Sequence, residues 1–179
     1  MKGVRGVIGV LGLVVLAGGI GGCACSKCRA SADAPRHLAE PEDARDEVWD
    51  VLDALHAKAA EGAFDAYFDL YAPDAVFLGT DATERWTLTQ FMDYSRPHLV
   101  PGRGWTYTLI GAKRFITLSA DGRTAWFDEA LMNAKLGECR GTGVLVLTDR
   151  GWKISQYNLT MPVPNAMIER VASEIRSQD

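Results

Sequence analysis

Histidine and cysteine are both scarce in this chain of 179 residues, which holds three of the first and four of the second. Neither His56 nor His98 has a partner at metal-ligand spacing, so no catalytic zinc site can be assembled from them. Three of the cysteines, Cys23, Cys25 and Cys28, crowd near the start, and Cys139 stands alone far downstream. Cys25-Ser26-Lys27-Cys28 has the spacing of a metal or redox pair. It lacks a second pair or a histidine, which favours a tail disulfide or free thiols, while Cys139 reads as a strand-packing residue. Runs of basic charge are missing as well. Without Lys2 and Arg5 the chain holds 17 basic against 23 acidic residues, so the phosphate footprint a nucleic-acid partner needs is not there. No G-x-S-x-G, Walker loop or strand-to-helix G-x-G-x-x-G occurs. Gly141-Thr142-Gly143 lies inside a strand-like segment, where glycines permit a bulge or close packing. The one apolar run, Val7 to Ala17, is short of the roughly 20 residues a spanning helix requires.

That run has a different use. Lys2 and Arg5 precede it and small residues follow it, the layout of an export signal. Ile20-Gly21-Gly22-Cys23 resembles the bacterial lipobox, whose cysteine is acylated and becomes the first residue. Residues 1–22 are therefore read as a signal peptide, with Cys23 as the lipidation site. Residues 23–40, rich in Ala, Ser, Arg and Asp without apolar periodicity, are read as a flexible tether. Ala24 after the cysteine resembles the outer-membrane-sorted form, so the expected location is the periplasmic side of the outer membrane.

From Pro41 the pattern becomes that of a folded domain, 41–179. Proline at a first helical position with Glu42 and Asp43 behind it starts a helix, and Val48, Val51, Leu52, Leu55 and Ala59 continue it to a Gly62 cap. Phe64, Tyr67, Phe68 and Tyr71 make a second helical stripe, stopped by Pro73. A short strand over 75–78 comes next. Thr87 with Gln90 then forms a capping box, and Trp86 with Phe91 a hydrophobic staple, at the start of a third helix. From Trp105 the period changes to two, and Asp121-Gly122, Gly137 and Asp149-Arg150-Gly151 separate strands in an antiparallel meander. Pro162 and Pro164 break it before a last helix bearing Met167, Ile168, Val171 and Ile175.

Helices followed by a long meander predict an α+β fold with helices on one face of a strongly curved antiparallel sheet. The segments Phe77-Leu78-Gly79-Thr80-Asp81, Glu84-Arg85-Trp86, Trp126-Phe127-Asp128-Glu129, Arg140-Gly141-Thr142 and Gly151-Trp152-Lys153-Ile154 resemble the SnoaL-like branch of the NTF2-like superfamily. The resemblance implies a cone with a pocket between helices and sheet, and a scaffold shared by cyclases, isomerases, dehydratases and binding modules. It also implies pairing of copies through the convex sheet face, where Tyr157 and Phe127 are placed.

Period-two alternation allows one of Asp128 and Glu129 to face the pocket. Trp152 and Ile154 set the core face of the last strand, which predicts Gln156 and Asn158 inward and Tyr157 outward. An inward Arg140 would pair with Asp128. Two functional readings follow. In the first, a membrane-anchored domain binds a small molecule or acts as an accessory module, with ligand contacts from Tyr67, Phe77, Asp81, Glu84, Arg85, Trp105, Trp126, Arg140, Gln156 and Asn158. In the second, Asp128 is the general base of a cofactor-free isomerase, cyclase or dehydratase. Neither reading calls for a metal or cofactor, and binding without turnover is favoured.

Overall fold

A computed structural model describes residues 40–177. The segments expected to be a signal peptide and a tether, up to residue 39 and with Cys23, Cys25 and Cys28, lie outside the described residues. Helix α1 spans Pro41–Glu61 and ends at Gly62, whose left-handed backbone (φ 69°) a side chain would strain. Its buried face is Ala44, Val48, Leu52, Leu55 and Ala59. Helix α2 is short, Phe64–Phe68. The aromatic stripe does not stay helical to its end, because Tyr71 already begins strand β1, Tyr71–Leu78. The rings nevertheless meet, with Tyr67, Phe68 and Tyr71 at centroid separations of 5.0 to 6.0 Å.

Strand β2 (Arg85–Thr87) delivers the chain into helix α3 (Leu88–Ser95) through the predicted capping box, in which the Thr87 hydroxyl accepts from the Gln90 N–H and the Gln90 side chain accepts from the Thr87 N–H. The staple rings Trp86 and Phe91 lie 6.1 Å apart. Four long strands follow: β3 (Thr108–Leu118), β4 (Thr124–Asn133), β5 (Gly137–Thr148) and β6 (Gly151–Thr160). A 3-10 turn at Asn165–Met167 leads into helix α4 (Ile168–Arg176), which buries no side chain.

All six strands form one sheet in the order β2-β1-β6-β5-β4-β3. It is mixed, not purely antiparallel as the meander alone predicts, since β1 returns to pair parallel with β6. The core lies between α1, α2 and α3 and the inner sheet face, where Ala125, Phe127, Leu131, Leu145, Trp152, Ile154 and Tyr157 are buried. Three register breaks disturb the ladders, the decisive one in β6. Val144 pairs with Gln156, while the next residue, Leu145, pairs with Ile154, so Ser155 is an extra residue on β6. A bulge of this kind shifts the alternation by one position and bends the strand. Trp152 and Ile154 face inward before it, and Tyr157 does so after it.

Candidate functional site

Helix α1 places Trp49, Asp53 and His56 at three- and four-residue spacing, on one face directed at β3 and β4. Period two places Arg114 of β3 on the face shared by Ile116 and Leu118, and it pairs across the ladder with Glu129 of β4. Both are almost completely buried, at 4% and 1% exposure. Burying these charges is tolerable because they pair with each other, although Arg114 Nη2 is buried without a hydrogen-bond partner among the described residues. Arg114 Nε donates to Glu129 Oε2 at 2.8 Å, and Arg114 Nη1 donates to Asp53 Oδ1 at 2.7 Å and to the Trp49 carbonyl at 3.4 Å. The guanidinium also lies over the Trp49 ring, 4.6 Å from its centroid.

The other Glu129 oxygen, Oε1, takes the Tyr157 hydroxyl at 3.0 Å and meets His56 Nε2 at 2.8 Å. Burial pushes the Glu129 carboxyl upward, but the His56 hydrogen bond and charge and the Arg114 guanidinium outweigh it and hold the group below its ordinary value. Burial, reinforced by the Glu129 charge, pushes the Tyr157 phenol well above its ordinary value, so it serves as a neutral donor. Gly141 on β5 leaves room for this cluster. A Cβ there would sit 2.4 Å from the Tyr157 hydroxyl and 2.8 Å from Glu129 Oε1.

His56 and Tyr157 form part of the wall of a cavity of about 390 Å³. Leu55 and Ala59 of α1, Tyr67 of α2 and Phe77 of β1 continue the wall. Trp86, Phe91 and Tyr94 close a second side, and Trp105 to Tyr107 with the β4–β5 turn residues Asn133, Lys135 and Leu136 close a third. Near the rim the loop from Gly79 to Glu84 is tied by its own side chains. Asp81 Oδ1 accepts from the Thr83 N–H and hydroxyl, which lower the Asp81 carboxyl, and the Asp81 N–H donates to Glu84 Oε2 at 3.2 Å.

Of the residues predicted to contact a ligand, Tyr67, Phe77, Glu84 and Trp105 line this cavity. Asp81 and Arg85 are exposed and lie beside it as loop and strand-edge residues. The remaining expectations are overturned. Asp128 and Arg140 point to the outer sheet face with Trp126, which is 48% exposed, and they are not ladder partners, since Asp128 pairs with Thr142 and Arg140 with Ala130. Gln156 is exposed on that same side and Asn158 shares its face, two positions further along. On β4 both faces carry aromatic residues, and inner burial goes to the Phe127 face because Arg114 and His56 wait there for Glu129. On β6 the Ser155 bulge inverts the predicted faces, so Tyr157 is inside. Phe127 and Tyr157 are thus core residues and are not available to a convex-face contact.

His56, Arg114 and Glu129 are the groups that alternation misses. A signal was present in Arg114-x-Ile116-x-Leu118, a cation on an otherwise apolar strand face that demands a buried acid opposite. Among the described residues no group of three or more His, Cys, Asp or Glu is arranged to hold a metal ion, and no helix is long and apolar enough to cross a membrane.

Helices laid over the inner face of a six-stranded mixed sheet, with a cavity between them, define an α+β protein of the NTF2-like class. The chain belongs to the SnoaL-like domain family, whose sequence model matches residues 48–164. Among solved structures it is similar to an NTF2-like protein of unknown function from Pseudomonas putida (11% identity, TM-score 0.58, 69% of this chain and 90% of that one). It is also similar to a proposed dehydratase of the NTF2-like family from Streptomyces avermitilis (12% identity, TM-score 0.58, 70% and 100%). A third is a proposed aromatic ring hydroxylase from Novosphingobium aromaticivorans (19% identity, TM-score 0.57, 70% and 93%). At these identities the likeness is one of fold. No curated protein matches the chain.

Proposed function

We propose that this protein is an exported, lipid-anchored domain that binds a small, mainly apolar molecule in its cone cavity. The observation that carries the reading is the cavity itself, aromatic over much of its wall with a few polar groups such as His56, Glu84 and Lys135 interspersed. Asp128 has no part in it, being on the opposite face of the sheet. Native mass spectrometry of the purified full chain tests the reading. A retained small molecule, lost when Trp105 and Phe77 are both replaced by Ala, is expected, and retention by that variant contradicts binding in the cavity. For the anchor, Cys23→Ala should move the protein from membrane to soluble fractions, whereas unchanged membrane retention rules out lipidation at Cys23.

The outer sheet face supports a second, compatible reading, that two copies pair through it. It presents Phe115 at 62%, Trp126 at 48% and Met132 at 46% exposure, an apolar surface a solvated monomer gains nothing from. Light scattering that finds a strict monomer at high concentration excludes this pairing.

A further inference from the structure

We propose that Gly104 sets the size of molecule the cavity accepts, by letting the chain hold Trp105 hard against the end of helix α1. The inference rests on the small-molecule reading above and adds to it a specificity-determining residue and a size limit.

The last carbonyls of a helix have no later turn to bond to. In α1 two of them are taken by the loop that follows α3. The Trp105 N–H donates to the Ala59 carbonyl at 3.1 Å, and the Gly102 N–H donates to the Glu61 carbonyl at 3.4 Å. The Gly62 N–H of the helix cap shares the Ala59 oxygen at 3.2 Å, so both lone pairs of that oxygen are engaged. Val100 and Arg103 exchange backbone bonds of 3.0 and 2.8 Å, and the loop therefore meets the helix as a closed turn.

Two glycines, one from each side, make this seam possible. A Cβ on Gly62 would overlap the Val100 carbonyl oxygen, and a Cβ on Gly104 would overlap the Ala59 oxygen and lie 3.1 Å from the Gly62 nitrogen. In both cases the obstacle is backbone, which cannot swing aside as the tip of a flexible side chain does. Gly62 has a second reason to be glycine in its left-handed backbone. Gly104 is not among the glycines with positive φ, so the close approach alone keeps a side chain out.

The seam is also part of the cavity. Ala59, Gly104 and Trp105 all line it, so the distance across the seam is the distance between two stretches of wall. On its other side the Trp105 ring meets Phe91 at 6.2 Å, Tyr94 at 6.4 Å and His98 at 6.2 Å. Ring contacts of this kind are satisfied over a range of separations, and the backbone tie to Ala59 is what fixes the indole. A methyl group on Gly104 is therefore a wedge. It parts the loop from α1, carries Trp105 away from Ala59 and widens the cavity between them, while Phe77 and Tyr157 on other elements stay in place.

The test uses the full chain and two fluorescent probes that differ by one fused ring, 1-aminonaphthalene and 1-aminoanthracene. The quantity read is the ratio of their dissociation constants, which a general loss of stability does not move. Gly104→Ala should shift the ratio about tenfold in favour of the larger probe, the scale on which one small group discriminates in an apolar pocket. Trp105→Phe shortens the limiting ring without touching the seam and should shift it in the same direction, which decides the matter should Gly104→Ala fail to fold. Gly122→Ala strains a hairpin glycine at φ 64° whose Cβ would meet open space, so it destabilises the chain and should leave the ratio unchanged. A ratio that either cavity variant leaves unmoved, or moves toward the smaller probe, overturns the inference, as does an equal shift in Gly122→Ala. Failure of both probes to bind the unaltered chain overturns the cavity reading itself, whereas binding with an unmoved ratio overturns the size limit alone.

Discussion

Asp128 and Glu129 are neighbours on one strand, as are Gln156 and Tyr157 on another, and in each pair the two side chains go to opposite faces of the sheet. On the inner face Glu129 and Tyr157 belong to a buried cluster with Arg114 and His56, in which each polar atom of the carboxylate has a partner. On the outer face Asp128, Arg140 and Gln156 are solvated beside Trp126. Residue type is therefore a poor guide to role here. The same carboxylate chemistry costs little in water and requires a complete set of partners in the core.

The comparison can be broken most forcefully at the two arginines. Arg114→Ala leaves Glu129 buried without its cation and should cost about 3–5 kcal/mol in urea unfolding, while Arg140→Ala on the solvated face should stay within about 0.5 kcal/mol. Equal losses would mean that the faces are not distinguished by burial. A smaller perturbation inserts a methyl group into the cluster. Gly141→Ala should destabilise by up to about 3 kcal/mol, because its Cβ meets the Tyr157 hydroxyl and Glu129 on a strand that cannot move away freely. Tyr157→Phe removes a hydrogen bond to a charged acceptor and should cost about 1.5 kcal/mol, against no measurable change for Gln156→Ala.

The finest distinction is in acid. Glu129 sits below its ordinary value when folded, so the folded state binds that proton more weakly than the unfolded chain does. Its contribution is present above the ordinary value of 4.5 and is lost as pH falls through the depressed one. Urea midpoints measured from neutral pH down to pH 3 should fall less steeply for Glu129→Gln than for the unaltered chain. An unchanged slope would show that Glu129 is not paired in solution.

Much of the fold is legible because its signals are local. Pro41, Gly62 and the Thr87–Gln90 box mark helix ends within a few residues of themselves, and Asp121-Gly122 announces its hairpin. The parallel return of β1 to β6 is not legible, since it joins segments far apart in sequence, and the helical spacing of Phe64, Tyr67 and Phe68 runs on into Tyr71 of the strand. The cavity's aromatic wall was partly accessible through Tyr67, Phe77 and Trp105. Trp86, which has a sufficient role in stapling α3, also faces the cavity, so one ring serves both purposes. The polar centre was misplaced for two physical reasons. A single inserted residue, Ser155, reverses every later side chain on β6, and alternation carries no mark of it. On β4, Trp126 and Phe127 offer equally apolar faces, and the choice between them is made by Arg114 and His56 on other elements.

The central claim is that buried Glu129 organises the inner-face cluster and holds His56 with its proton on Nε2. Long-range proton–nitrogen correlation NMR of the ¹⁵N-labelled full chain at neutral pH reads this directly. The expected result for His56 is a proton on Nε2, with a resonance that shifts in Glu129→Gln. A His56 ring protonated on Nδ1 alone, or a resonance indifferent to Glu129, would contradict it.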